Sequence, residues 1–268
     1  MVNRPVSYAA VLSCAHNLAD SAGHAIRPHF RKILNVEDKG GAAGFDPVTK
    51  ADRAAERAMV RHLASAFPGH GIIGEEFGSV RTDARYRWVI DPIDGTRAFI
   101  MGLPTWGTLI GLMDGAQPIL GLMDQPFTGE RFWTSSVASH IRTPGGKPKR
   151  VRTRPCAQLA DAIFSTTHPD LFQSGFEARV HDALKARARM TRYGGDCYAY
   201  CMLACGHIDV IVESGLSAYD IVAMIPIIER AGGIVTNWEG GSCAHGGQIL
   251  ACGDARLHAQ LIKLIAAA

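Results

Sequence analysis

The patterning of the chain changes character across residues 143–155, and this change constrains the fold more than any single segment does. Ahead of it, Val11, Ala15, Leu18, Ala22 and Ile26 recur at helical spacing within a stretch from about Val6 to Ile33. A glycine-rich turn at Gly40 to Gly44 leads to a second helix that begins after Thr49. Thr49 suits an N-cap, with Asp52 three residues later as the capping acid. Ala55, Met59, Leu63 and Phe67 continue the buried face of that helix, and Pro68-Gly69 ends it. Strand-like runs follow at Ile72-Ile73, Trp88 to Ile90, Thr105 to Met113, Pro118 to Met123 and Arg131 to Val137. Asp114-Gly115 and the Pro126 to Gly129 turn are hairpin signals between the last three. This half reads as two helices with an antiparallel meander, an α+β pattern.

Beyond the change, strand and helix alternate. Strands are expected at Ala162 to Thr166, Met190 to Tyr193, Asp209 to Val212, Ile234 to Thr236 and Gln248 to Ala251. Helices are expected at Gly175 to Ala186, Cys197 to Cys205, Ala218 to Arg230 and Ala255 to Ile265. Such alternation points to a layered α/β unit. The Ala218 helix is apolar nearly all round, so it should be deeply buried, bent at Pro226 and capped by Gly232-Gly233. The division expected is 1–150 and 151–268, two halves of one compact unit. The joining segment carries Lys147, Lys149, Arg150, Arg152 and Arg154. It reads as a solvated connection in preference to a phosphate or nucleic-acid patch.

Composition narrows the class. Hydrophobic residues make up 47% and charged residues 20% of 268, which excludes intrinsic disorder as the main state. A net charge of +3 is too small for a polyanion-binding field, so no nucleic-acid partner is expected. The most apolar charge-poor stretch, from Ala98 to Met113, is interrupted by glycine, proline and threonine and is short for a membrane span. Residues Met1 to Ser7 hold no signal-peptide core, and a cytoplasmic protein is expected. The seven cysteines include no CxxC pair; Cys197, Cys201 and Cys205, four apart, read as the buried face of one helix.

Acids concentrate beside turn residues at four places. They are Asp46 to Asp52, Gly74-Glu75-Glu76, Asp91-Pro92-Ile93-Asp94-Gly95-Thr96, and Tyr219-Asp220. Asp91 and Asp94 follow a strand directly, and a tight turn stiffened by Pro92 could aim both carboxylates at one point. Gly95-Thr96 opens a new element whose free backbone N–H groups can hold an anion. Carboxylates beside such an element suit a divalent cation shared with a phosphate. The same residues are turn formers, and Asp52 and Asp220 each also fit a helix-capping role. Spacing alone does not show whether the four stretches meet.

Residues Trp88 to Phe99 closely resemble the signature of the inositol monophosphatase family of Mg2+-dependent, lithium-sensitive phosphatases. Gly74-Glu75-Glu76 is similar to its upstream acidic motif, Asp46 to Asp52 to its D-x-V-T-x-A-D segment, and Tyr219-Asp220 with Gly232-Gly233 to its late W-D…G-G motif. The resemblance covers nearly the whole chain. It implies an alternating αβαβα layered sandwich of the inositol monophosphatase/fructose-bisphosphatase type, an α/β fold. It further implies two or three Mg2+ per site, with Mn2+ as an alternative ion. The implied ligands are Glu75, Asp91, Asp94, Asp220 and the Ile93 carbonyl, with Asp94, Gly95 and Thr96 on the phosphate. Thr96 and Asp52 are implied as a hydrogen-bonded catalytic pair beside a water that Glu75 orients. A homodimer acting on a small phosphate ester is implied as well.

Substrate choice rests on departures from the inositol pattern. The signature runs on as Thr96-Arg97-Ala98-Phe99-Ile100, where inositol phosphatases have T-x-N-F-x-H. Gly102 to Ile110, Arg192 to Tyr200 and Glu213 to Asp220 resemble the histidinol-phosphate phosphatases of the superfamily, which act in histidine synthesis. Histidinol phosphate carries an ammonium group and an imidazole, so carboxylates beyond the metal ligands would complement it. Asp196 and Glu213 are the candidates, with Asp220 alongside and Arg192 restraining Asp196 or touching the phosphate. Asp196 as a helix N-cap and Glu213 as an exposed strand end are the plainer alternatives, and Glu213 also resembles the acid that holds a sugar hydroxyl in inositol phosphatases, so it does not discriminate between the two substrates. An inositol-1-phosphatase, a broad-specificity phosphatase and a non-catalytic binding protein remain the other functional classes.

Overall fold

The computed structural model describes residues 6–33, 36–38 and 47–268. The glycine turn expected at 40–44 and Asp46 lie outside the described residues. Helix α1 (Tyr8–Ile26) buries Val11, Ala15, Leu18, Ala22 and Ile26, as their spacing predicts. It stops well short of Ile33, because Pro28 lacks the N–H that another turn would need. Strands β1 (Val36–Asp38) and β2 (Pro47–Thr49) form a small antiparallel pair. Helix α2 (Lys50–Ala66) starts at Thr49 with the expected capping box: the Thr49 N–H donates to Asp52 Oδ2 at 2.9 Å.

The first sheet has eight strands. They are β3 (Gly71–Gly74), β4 (Ser79–Val80), β5 (Tyr86–Asp94), β6 (Gly107–Asp114), β7 (Gln117–Gln125), β8 (Glu130–Thr134), β9 (Ser139–Arg142) and β10 (Lys149–Arg150), with the short helix α3 (Thr96–Met101) after β5. Their order is β10-β9-β8-β7-β6-β5-β3-β4, antiparallel except for the β3–β5 pair. The basic connection therefore adds an exposed edge strand to the sheet. Asp91 to Asp94 does not form the tight turn expected after Ile90. It continues β5 as a bulge, since Asp91 faces Leu109 while Asp94 faces Gly107. Pro92 is tolerated there because a bulge leaves its missing N–H without a ladder partner to disappoint.

The second sheet is mixed. Strands β11 (Ile163–Thr166), β12 (Met190–Tyr193), β13 (Val210–Ser217), β14 (Ile234–Thr236) and β15 (Gly246–Cys252) take the order β12-β11-β13-β15-β14. Helices α4 (Gly175–Arg187) and α5 (Asp196–Ala204) fall where strand–helix alternation places them, as does the C-terminal α8 (Ala255–Ala266). The single Ala218 to Arg230 helix is instead two: α6 (Ala218–Ile221) and α7 (Met224–Ala231). Pro226 sits in the first turn of α7, where its missing N–H costs no helical bond. Gly232 closes α7 in a left-handed conformation, its N–H reaching Glu229 O.

Layering follows from period-two burial along β5. Trp88 and Ile90 face one core shared with α1 and α2. Val89 faces another, shared with α5, α6, α7 and the inner face of the second sheet (Ile211, Ile249, Ala251). The outer face of that sheet (Phe164, Val210, Val212, Leu250) packs under α4 and α8. The result is five layers, αβαβα. Gly121 on β7 permits the central contact: a Cβ there would lie 2.0 Å from Ala223 O in the α6–α7 turn. Cys197 and Cys201 are buried in this middle layer, and burial pushes their thiols well above the ordinary range. Among the described residues no helix is long and apolar enough to cross a membrane.

Candidate active site

Parallel pairing sets up the first part of the site. Gly74 lies opposite Ile90, so Glu75 leaves β3 beside Asp91 as it leaves the straight part of β5. The bulge then brings Asp94 round. Asp91 Oδ1 accepts the Ile93 N–H at 2.9 Å, and the Pro92 carbonyl accepts the Thr108 hydroxyl at 2.8 Å. Asp220 arrives from the other half. It is the third residue of α6, and its Oδ2 accepts the Ser217 N–H at 2.7 Å. Carboxylate oxygens of Asp91, Asp94 and Asp220 all lie within 4.8 Å of one another.

Electrostatics at this cluster are unfavourable for the protein alone. Burial, then the charges of Glu75, Asp94 and Asp220, push Asp91 well above the usual carboxylate range. Burial, then Asp220 and Asp196, do the same for Asp94. Burial and the Glu213 charge move Asp220 up to about 7, against the pull of the Ser217 N–H. Among the described residues, no Lys, Arg or His forms an ion pair with any of these three. Hard oxygen donors, buried together and short of positive charge, are the donor set that fits a divalent cation.

Gly95 follows the bulge with φ 84° and opens α3. Thr96 Oγ1 donates to the Ile93 carbonyl at 3.1 Å. The expected Thr96–Asp52 bond is thus not formed here. Asp52 Oδ2 takes both the N–H and the hydroxyl of Thr49, and its Oδ1 has no hydrogen-bond partner among the described residues. Burial moves Asp52 up to about 6.

The second half walls a cavity of about 200 Å³ that opens on the cluster. Asp94, Asp196, Glu213 and Asp220 line it, with Thr167, Cys197 and Tyr200 among their neighbours. Glu213 is 3% exposed, not the exposed strand end of the plainer alternative. Its Oε1 accepts the Thr167 N–H at 2.8 Å and hydroxyl at 2.6 Å, and its Oε2 accepts the Tyr200 hydroxyl at 2.9 Å. Asp196 is not the N-cap of α5; that position is Gly195. Asp94 supplies the cap instead, its Oδ2 accepting the Cys197 N–H at 2.9 Å. Asp196 stands at φ 43° and accepts the Thr105 hydroxyl at 3.1 Å. Arg192 is exposed on β12 and outside the cavity lining, so it does not restrain Asp196; Arg97 is the cation that acts on that carboxylate. Thr167, Tyr200 and Thr105 were missed from sequence because single hydroxyls carry no spacing signal.

The family model for the inositol monophosphatase family matches residues 7–268. The chain belongs to the inositol monophosphatase family. It is 40% identical over 257 residues to a chloroplastic bifunctional phosphatase of Arabidopsis thaliana, covering 92% of this chain and 72% of the relative. It is 37% identical to the histidinol-phosphatase of Streptomyces coelicolor, over 94% of this chain and 95% of that one. Among solved structures, an inositol monophosphatase from Zymomonas mobilis superposes with a TM-score of 0.86 at 40% identity, covering 98% of this chain and all of the other. The five-layer arrangement is therefore the family fold, and the chain is a phosphatase of that family. The substrate differs among these relatives, so family membership alone leaves it open.

Proposed function

We propose that the protein hydrolyses a phosphate monoester with Mg2+, and that the ester is L-histidinol phosphate. The observation that carries the substrate is the cavity lining: Asp94, Asp196, Glu213 and Asp220 line it, and among the described residues no Lys, Arg or His does. Such a wall complements an ammonium or imidazolium group and offers a neutral polyol less. Asp196 adds to this, because an L-residue held at positive φ against a cavity wall is strain of a kind that gathers at functional sites.

In this reading residues 1–150 hold the phosphate and most of the cation's ligands, and 151–268 add Asp220 and select the ester, the two acting as one unit. Asp91, Asp94, Asp220, Glu75 and the Ile93 carbonyl would hold the divalent cation, which would supply Lewis acidity to a water and positive charge for the developing negative charge. The N–H groups of Gly95 and Thr96 hold the phosphate at the start of α3. Glu75 orients the attacking water. With the Thr96 hydroxyl turned from Ile93 toward Asp52, Thr96 would take the proton that the attacking water loses and pass its own to Asp52, whose carboxyl burial raises to about 6. Asp196 and Glu213 hold the substrate's cationic end. No phosphoenzyme is required, since positioning and charge supply the catalysis.

An inositol phosphate is the second reading, favoured by the Zymomonas mobilis relative, which is named an inositol monophosphatase. The test is phosphate release with Mg2+ from L-histidinol phosphate and myo-inositol 1-phosphate, compared by kcat/KM. A preference of about a hundredfold for histidinol phosphate, roughly 3 kcal/mol, is expected. Asp196→Asn should lower that preference about tenfold while leaving the inositol ester unchanged. A preference for the inositol ester overturns the substrate assignment.

A further inference from the structure

Glu56 is an acid on the buried stripe of α2, four residues after Asp52 and flanked in that stripe by Ala55 and Met59. It is fully buried. An acid in such a position needs strong donors, and its carboxylate finds two in the loop that follows β3. The Glu76 N–H donates to Oε2 at 2.8 Å and the Phe77 N–H donates to Oε1 at 3.0 Å. The loop is closed on itself by the Gly74 N–H, which donates to Gly78 O at 3.0 Å. Its interior N–H groups therefore converge on one side chain, as they would on a bound anion. Gly74 makes the approach possible: a Cβ at that position would lie 2.1 Å from Glu56 Oε1. The neighbouring residues of the same helix face grip the loop from outside. Arg53 pairs with Glu76 at 3.9 Å, and the Arg57 guanidinium lies 5.4 Å from the centre of the Phe77 ring.

Glu75 is the one loop residue that stands beside Asp91, and the peptide that Glu56 holds is the one immediately following it. We propose that Glu56 is a positioning residue: its buried carboxylate fixes the 74–78 loop so that Glu75 is already in place when the divalent cation binds. The proposal rests on the reading of Glu75 as a metal ligand. A loop ordered in advance spares the binding step the cost of ordering it. Removing Glu56 should therefore weaken metal binding far more than it alters substrate binding. Glu56→Gln keeps the size but can offer an acceptor oxygen to only one of the two N–H groups.

The experiment compares wild type, Glu56→Gln, Glu56→Asp and Glu75→Gln. It measures the Mg2+ concentration for half-maximal phosphate release, the substrate KM at saturating Mg2+, and the rise in Tm on adding Mn2+ without substrate. For Glu56→Gln the expected results are an approximately tenfold higher Mg2+ requirement, a smaller Mn2+-induced rise in Tm, and a KM within about threefold of wild type. Glu56→Asp keeps the charge with a shorter reach, should shift the same way, and decides the matter if Glu56→Gln does not fold. A folded Glu56 variant with unchanged Mg2+ requirement and unchanged Mn2+ response overturns the proposal. Unchanged metal responses in Glu75→Gln overturn instead the assignment of Glu75, on which the proposal stands.

Discussion

Two places where this molecule buries carboxylates are treated in opposite ways. Between α1 and the β7–β8 hairpin, Asp124 lies 2.7 Å from Arg131, whose guanidinium also reaches Asp20 at 2.7 Å. Burial pushes Asp124 up, and Arg131 pulls it back. At the end of β5, burial pushes Asp91 up, and Glu75, Asp94 and Asp220 push it further. The first carboxylate has its partner within the chain, while among the described residues the second group has no cation paired with it. A buried acid with its own arginine is part of the scaffold. Buried acids left facing one another are a donor set that fits a cation from outside.

This contrast can be broken most forcefully at Asp91. Asp91→Asn should lower kcat at least about a thousandfold while raising the Tm of the metal-free protein, because a neutral isostere relieves the repulsion. Equal loss of activity and of Tm would place Asp91 among the scaffold acids. At the other cluster the signs reverse. Arg131→Met should cost about 3 to 5 kcal/mol of stability, a fall of roughly 10 °C in Tm, with kcat/KM little changed. A stable Arg131→Met protein would show that this pair does not hold the fold.

A pH series sharpens the comparison. Asp220 titrates at about 7 in the folded chain against 3.8 as its ordinary value. The folded state therefore binds more protons between those values, and the ionised carboxylate becomes a penalty as pH rises through them. Without metal, Asp220→Asn should gain stability relative to wild type from pH 4 to pH 7, by up to about 4 kcal/mol, and level off above. Using the difference cancels His16, which burial and Arg131 lower to about 4 and which opposes this trend in both proteins. A difference flat with pH would contradict the assignment of uncompensated charge. The smallest effect is expected at Arg192. Exposed and outside the cavity, it should change kcat/KM by less than about twofold on replacement by alanine.

The α+β half and the α/β half were legible because both are written in local periodicity, whereas the five-layer order came from the family resemblance. Helix spacing in α1 and α2 and the strand–helix alternation after residue 155 survive folding, although α1 ends at Ile26 and the expected Ala218 to Arg230 helix is broken in two. What was illegible depended on pairing. The Asp91 to Asp94 segment looked like a turn because Asp, Pro and Gly favour turns, and only the β6 register makes it a bulge. The α6–α7 break lies where the Ala223 carbonyl approaches Gly121, a contact that no local pattern announces. In the site, Asp91, Asp94 and Asp220 were readable as acids in apolar surroundings, but their meeting within 4.8 Å was not. Glu56 had a readable signal, an acid inside an apolar helical stripe, yet its purpose required seeing the loop it holds. Arg192 was singled out because the Arg192 to Tyr200 segment resembles the histidinol-phosphate phosphatases, but its side chain is exposed on β12 and outside the cavity lining.

The account stands or falls on whether the cluster at the end of β5 works by holding a divalent cation. The direct measurement is phosphate release from L-histidinol phosphate by metal-stripped protein as Mg2+ is added back, for wild type and Asp91→Asn side by side. The account predicts no release before Mg2+, a saturable rise for wild type, and no recovery for Asp91→Asn at any Mg2+ concentration. Release at the full rate in the presence of a chelator, or an Asp91→Asn curve that overlays wild type, would contradict it.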